Sequence, residues 1–482
     1  MRRSAIASLA SVAALAAALA AAAQRAKASP LTSRFRRSAK VWKLSARNSG
    51  RFAIAKLRGI GSAEERRAEL DEQFAIRTAA DVAKELGEMK GVLMKAGQLV
   101  SFIVEALPDE AQEALSTLQA GAPPMSPSLA ASVVERDLGQ PPERVFLDWT
   151  DLPVAAASIG QVHRAVTHRG RDVAVKVQYP GVDVAIESDL DAAEAMYTMF
   201  QAMMLKGLDA KALATELRAR MREELDYELE ARNVKEFHER FWGHPWVRIP
   251  NLVPEYSTHH LLTTEWVDGM TFDELRTTET DATKQRAGEV IWRFAQHAIH
   301  RCGMFNGDPH PGNYRFHHDG SVTFLDFGLV KRWSAGEWET LKPSMDAIVI
   351  HRDPDRLVVE MERAGFLRPG HGLDSQLVFD YVSSPYVPYL TDEFTFTRAW
   401  MRDTLAVILD VQGPHAPVIE ALNMPPSFLI LDRVAWGVSA ILGKLGAHGP
   451  WRAMLMEYVA DGAPATDLGA AEASWAADRR TV

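Results

Sequence analysis

Apolar and polar positions along the chain change rhythm several times. From Ser62 to Leu107 leucines and alanines recur at three- and four-residue steps without a proline, which predicts a long helical stretch. Gly121-Ala122-Pro123-Pro124-Met125-Ser126-Pro127 is a loop, and Ser128 to Leu138 forms a short helix before Gly139-Gln140-Pro141-Pro142. The period then shortens to two, with strands expected at Val145 to Trp149, Ser158 to Val166 and Asp172 to Gln178, the last two joined by Thr167-His168-Arg169-Gly170. Helical spacing returns over Val182 to Lys206 and Asp209 to Arg240, and strands follow at Trp246 to Leu252 and His260 to Trp266. Gln285 to Cys302 reads as a buried helix. Tyr314-Arg315-Phe316 and Ser321 to Leu325 read as strands around a turn at 318–320. Ser334-Ala335-Gly336-Glu337 is a capping box opening a mostly helical remainder, whose Ala-rich end, Asp461 to Val482, is expected to fray. The late apolar stretches Leu377 to Leu390 and Pro426 to Leu445 contain charges or prolines and do not read as paired membrane helices.

With 482 residues, 47% of them apolar, the chain exceeds one ordinary domain and has ample material for a large core. Its net charge of −9 conceals a division. Residues 1–63 carry 13 Lys or Arg and no acid, while the remainder carries 41 basic against 63 acidic residues. A basic leader on an acidic body predicts an anionic membrane surface as the leader's partner and disfavours nucleic acid. Within it Ala5 to Ala23 is nearly free of polar residues. That pattern suits a secretory signal, an organelle transit peptide or a weak single anchor with the body on the cytoplasmic side. Of these, membrane association with the body on the cytoplasmic side is the favoured expectation. The single cysteine, Cys302, excludes an intramolecular disulfide, and no neighbouring residue in the sequence marks it as reactive.

Three short stretches supply one kind of chemistry. Transfer of a γ-phosphoryl group needs a cation on the phosphates, a carboxylate aligned with the attacking oxygen, and oxygen ligands for Mg²⁺. Lys176 in Val173-Ala174-Val175-Lys176-Val177, Asp308 and Asn313 in Asn306-Gly307-Asp308-Pro309-His310-Pro311-Gly312-Asn313, and Asp326 in Leu325-Asp326-Phe327-Gly328 provide these groups. Four residues separate Asp308 from Asn313, the spacing of a protein-kinase catalytic loop. The set predicts an α+β, protein-kinase-like bilobal fold with a small antiparallel-sheet N-lobe and a mainly helical C-lobe. A buried strand lysine needs an anion, and Glu230, on a helix face shared with Asp226, is the chosen partner. Ala155-Ala156-Ala157-Ser158 occupies the position of a nucleotide loop, although alanine keeps backbone further from phosphate than glycine does.

These residues resemble the UbiB/AarF-type atypical kinases associated with coenzyme Q biosynthesis. The resemblance rests on Lys95-Ala96-Gly97-Gln98, the Ala155 to Ser158 loop, Glu224-Leu225-Asp226 with Glu230-Ala231-Arg232-Asn233, and the Asp308 to Asn313 segment. It implies four parts: a leader at 1–61, an N-terminal helical extension at 62–140, an N-lobe at 141–268 and a C-lobe at 269–482. It further implies that Lys95 and Gln98 face the nucleotide pocket, that Lys176 pairs with Glu230 and holds the phosphates, that Asn313 and Asp326 bind Mg²⁺, and that Asp308 is the catalytic aspartate. One of Glu224 and Asp226 would reach Lys95 or the nucleotide, with the choice left open. The function implied is an ATP-hydrolysing atypical kinase supporting isoprenoid-quinone or related lipid metabolism, with lipid or quinone intermediates and lipid-biosynthesis proteins as partners. A small-molecule phosphotransferase of the aminoglycoside or choline kinase kind, and a nucleotide-gated lipid-binding scaffold, are the alternatives. The chain departs from the family in having Asn306-Gly307 where a histidine and alanine are common, and Asn306 is expected to substitute as a hydrogen-bonding side chain.

Overall fold

The structure is a computed structural model and describes residues 125–157, 159–182, 222–223, 225–408, 410, 412–423 and 426–480. The basic leader, the helical extension with Lys95 and Gln98, Ser158, Glu224 and nearly all of the expected helix from Val182 to Lys206 lie outside the described residues.

The N-lobe begins with α1 (Pro127–Leu138), started by Ser126, whose hydroxyl accepts the Leu129 N–H, and ended by Gly139 at φ 77°. Pro141 and Pro142 then favour a helical turn, α2 (Pro142–Val145), so the strand expected from Val145 shrinks to β1 (Asp148–Trp149). Next come β2 (Ala155–Ala157), β3 (Gly160–Val166), β4 (Asp172–Gln178), α3 (Tyr227–Arg240), β5 (Val247–Arg248) and β6 (Leu261–Glu265). An antiparallel sheet runs β1-β3-β4-β6, with β2 also paired to β3. Period-two alternation decides what each face of β4 does. Val173, Val175 and Val177 are buried in one cluster with Ala130, Val133 and Val134 of α1. Lys176 therefore points to the opposite face, towards α3. The helix expected to run unbroken to Arg240 is interrupted at Asp226 (φ −95°, ψ 89°), whose carboxylate accepts the Leu229 N–H and starts α3 afresh.

The larger lobe is mainly helical, as its patterning predicts. It contains α4 (Phe272–Thr278), α5 (Asp281–His297), β7 (Met304–Asn306), β8 (Tyr314–Phe316), β9 (Val322–Phe324) and β10 (Val330–Arg332). Then follow α6 (Glu337–Asp346), α7 (Pro354–Arg363), α8 (Ser375–Val382), β11 (Phe394–Thr395), α9 (Arg398–Ile408) and α10 (Ala416–Ala421). The chain closes with α11 (Pro426–Leu445), β12 (His448–Gly449), α12 (Trp451–Val459) and α13 (Asp467–Arg480). Buried α5, with Val290, Ile291, Trp292, Phe294 and Ala295, is the spine of a core reaching Phe324, Phe327, Leu442 and Trp451. Strands β8 and β9 form the expected hairpin, with Tyr314 opposite Phe324, and β7 pairs antiparallel with β10. The capping box anticipated at Ser334 is not formed: Gly336 (φ 78°) is the N-cap of α6 with no side-chain cap bond, and Ser334, two residues earlier, donates its N–H and hydroxyl to the Glu337 carboxylate. Among the described residues no helix is long and apolar enough to cross a membrane.

The Ala-rich end does not fray. Helix α13 is docked by Glu472, which accepts from Tyr458 at 2.7 Å and pairs with His297 Nδ1 at 2.7 Å. Beside it Arg293, 2% exposed, makes a bidentate pair with Glu457 at 2.8 and 2.9 Å. Burial alone would lower the His297 pKa, but the neighbouring Cys302 sulfur and the hydrogen-bonded Glu472 carboxylate raise it to about 9. A group raised above its ordinary 6.5 contributes stability that is complete below that value and lost as pH rises through 9. The urea midpoint is therefore expected to fall between pH 6.5 and 9 by the equivalent of about 2–3 kcal/mol, a decline that His297→Gln flattens.

Candidate active site

Lys176 is held from two sides. Its Nζ donates to Glu230 Oε1 and Oε2, both at 2.9 Å, and to Asp326 Oδ2 at 3.2 Å, and it lies 5.1 Å from the Tyr227 ring centroid. Burial alone would discharge the amine, but Asp326 and Glu230 hold its pKa well above the usual lysine value. Helix α3 presents three residues at helical spacing to the Asp326-Phe327-Gly328 segment. Glu230 is 2% exposed, Asn233 Nδ2 donates to the Phe327 carbonyl at 2.9 Å, and the Phe237 ring sits 4.6 Å from that of Phe327. Asp326 Oδ1 accepts the Gly328 N–H at 3.0 Å, leaving Oδ2 for the lysine.

The loop with Asp308 and Asn313 joins this cluster through Asn306. That side chain accepts the Asp308 N–H at 2.8 Å and donates to the Asp326 carbonyl at 2.7 Å, so it is the hydrogen-bonding side chain expected and, beyond that, bridges the two acidic segments. Asn313 Nδ2 donates to Asp308 Oδ2 at 3.3 Å, and its amide oxygen has no hydrogen-bond partner among the described residues. His310 accepts the Gly312 N–H, which stiffens the turn before Asn313.

The Ala155, Ala156 and Ala157 segment is strand β2, paired antiparallel with β3. Ala155 pairs with Val162, which on its other side pairs with Lys176, so β2 is two strands from the lysine. Gly160 is required there, because a Cβ would lie 2.4 Å from the Val177 carbonyl oxygen. Asp226 is not brought to Lys176. One of its oxygens caps α3 and the other lies 3.7 Å from Arg232. Cys302 lies outside this cluster and is half-buried.

Sequence reasoning missed Arg433 entirely. From α11 its Nη2 forms a buried ion pair with Asp308 Oδ1, while its Nη1 has no hydrogen-bond partner among the described residues. The approach is made possible one turn later, where a Cβ on Gly437 would meet Pro309 at 2.4 Å. No local signal identifies it, since 125 residues separate Arg433 from Asp308.

The donor set fits a magnesium-bound nucleotide. Asp326 offers a carboxylate on a half-buried side chain and Asn313 an amide oxygen, which are hard ligands of the number that Mg²⁺ takes from protein when phosphates complete its shell. Lys176, charged and aimed by Glu230 and Asp326, suits phosphate oxygens.

Comparison with known proteins agrees with this geometry. Residues 117–361 match the ABC1 atypical kinase-like domain family. The chain is 32% identical over 309 residues, 62% of its own length and 44% of the other's, to Protein ACTIVITY OF BC1 COMPLEX KINASE 1, chloroplastic, of Arabidopsis thaliana. It is 30% identical over 405 residues, covering 82% and 55%, to an Arabidopsis thaliana protein named uncharacterized aarF domain-containing protein kinase, chloroplastic. It spans about half the length of these curated relatives. A Mycobacterium tuberculosis protein solved in complex with erythromycin aligns with TM-score 0.59 and 33% identity over 83% of this chain and 98% of that one.

Proposed function

The chain belongs to the ABC1 atypical kinase-like family, and from that premise we propose that it is an Mg-ATP-using atypical kinase or ATPase supporting isoprenoid-quinone or related lipid metabolism at a membrane. The observation that carries this reading is the lysine clamped between Glu230 and Asp326 beside the Asn306-bridged Asp308 loop. In it Lys176 binds phosphate oxygens, Glu230 keeps the amine charged and aimed, and Asn313 and Asp326 hold Mg²⁺. Asp308 orients the attacking hydroxyl or water and takes its proton. The bound magnesium-nucleotide supplies the phosphoryl group and a cation that spreads the charge developed during transfer. Lys95, Gln98, Ser158 and Glu224 complete the site in this reading, with the helical extension excluding bulk water.

The basic leader, residues 1–63, supplies the contact with an anionic surface or an organelle address; the word chloroplastic in two relatives' names supports the second. The buried Arg433–Asp308 pair favours a further reading, a nucleotide-gated scaffold in which the aspartate is kept from its task. Phosphate release from ATP by the full-length protein separates the two, measured with and without Mg²⁺ and with and without anionic phospholipid vesicles. Magnesium-dependent release stimulated severalfold by vesicles is expected. Nucleotide binding with no release under any of these conditions overturns the enzymatic reading.

A further inference from the structure

Helix α3 carries Glu230 in its first turn and is fastened to the larger lobe along the rest of its length. In its middle, Asn233 Nδ2 donates to the Phe327 carbonyl, while Arg332 of β10 donates through Nη2 to Asn233 Oδ1 at 2.9 Å and to Glu236 Oε2 at 2.7 Å. Phe237, one turn on, packs against the rings of Phe327 and Phe294. The far end is taken by α13. Arg479 donates from Nη1 to the Trp242 carbonyl at 2.9 Å and from Nη2 to the Glu239 carbonyl at 2.8 Å, and Trp475 Nε1 donates to the Trp242 carbonyl at 3.0 Å. The Trp475 ring stacks on that of Phe241, with centroids 6.3 Å apart and planes 14° from parallel.

The last carbonyls of a helix have no partner inside it, and the negative end of its dipole favours a cation. Arg479 meets both needs at the end of α3 with one planar fork of donors. Helix α13 is itself held to α5 and α12 through Glu472, which pairs with His297 and accepts from Tyr458. A rigid rod therefore joins Arg479 to the lysine in the other lobe, since a rise near 1.5 Å per residue puts Glu239 about 14 Å along the axis from Glu230. Phe237 lies between the two as a fulcrum. A tilt of α3 about it carries Glu230 off the Lys176 amine, to which both carboxylate oxygens are bonded.

We propose that α13 is a positioning element of the active site: Trp475 and Arg479 fix the far end of α3 and thereby set the alignment of Glu230 with Lys176. Neither residue touches the phosphate-binding groups, so both are positioning residues. The consequence for turnover rests on the kinase reading; the consequence for the lysine does not.

Full-length Arg479→Met is compared with wild type by competitive acetylation with acetic anhydride at pH 7, the label on Lys176 being read by mass spectrometry against that on Lys342 of α6. Magnesium-dependent phosphate release from ATP is measured on the same samples. Arg479 is exposed, so its loss is expected to leave the melting temperature near that of wild type. An amine released from its carboxylate is more often neutral, so Lys176 is expected to label about fivefold faster in the variant. Turnover is expected to fall about tenfold, and Arg479→Lys, which keeps a charged donor, to restore part of both. Equal Lys176 labelling in a cooperatively melting Arg479→Met overturns the proposal, whatever turnover does. Faster labelling in the variant, with no phosphate released even by wild type, upholds the positioning and removes the kinase reading instead. Should Arg479→Met fail to melt cooperatively, Trp475→Phe decides, because it keeps the ring and loses only the Nε1 donor. A rise in Lys176 labelling of about twofold in that variant upholds the proposal, and unchanged labelling overturns it.

Discussion

Lys176→Met is expected to lower magnesium-dependent nucleotide turnover by at least about 10²–10³-fold, the scale of losing one preorganised charge at a reacting phosphate. The same substitution destabilises the protein, because Glu230 is 2% exposed and its two oxygens lose the amine that both accept from. Leaving such a carboxylate without its cation costs about 3–5 kcal/mol. The two effects separate in a second variant. Adding Glu230→Gln to Lys176→Met removes the uncompensated charge and restores most of the melting temperature, while turnover stays at the floor. Turnover within threefold of wild type in Lys176→Met, measured on protein that still melts cooperatively, would place phosphate binding elsewhere.

Arg433→Met is expected to move stability and turnover in opposite directions. Removing the guanidinium strands Asp308, which is 6% exposed, and should lower stability by on the order of 3 kcal/mol, read from thermal melts. The same carboxylate, no longer neutralised by an ion pair, becomes available to an attacking hydroxyl, and basal turnover should rise about tenfold. Asp308→Asn is the matching control. It also relieves the buried pair but removes the proton acceptor, so turnover should fall by about 10²-fold or more. A fall in turnover in both variants would make Arg433 a participant in transfer rather than a restraint on it.

What could be read in advance follows the range of the interactions involved. The position of Lys176 is legible because alternating valines on β4 settle which face is buried, and the lysine takes the other. The Asp308 to Asn313 spacing survives translation into structure because a short, proline-stiffened loop leaves few conformations. Glu230 is found by asking what anion a strand lysine needs. Asp226 is harder. From composition it is one more acid on a helix face, and only the backbone angles reveal that it ends one helical stretch and starts another. Arg433 is invisible, since nothing within 10 residues of it speaks of Asp308, and the enabling feature is a glycine one turn away facing a proline from another element. The His297 to Glu472 pair is hidden for the same reason, since 175 residues separate its partners.

The Asn306 bridge bears on how this part of the chain could change over generations. Between Asp308 and Asp326 lies the β8–β9 hairpin with its exposed turn at His318 and Asp319. A single amide, fastened to the backbone beside both acids, sets their relative position from the far side of that hairpin. The tip is fastened separately, Asp319 pairing with Arg248 and accepting from Arg286 and His318 meeting Glu279, so changes there are taken up by those contacts while the amide keeps the two acids in place. Lineages could therefore lengthen or decorate this turn as a recognition surface while the acids stay in register.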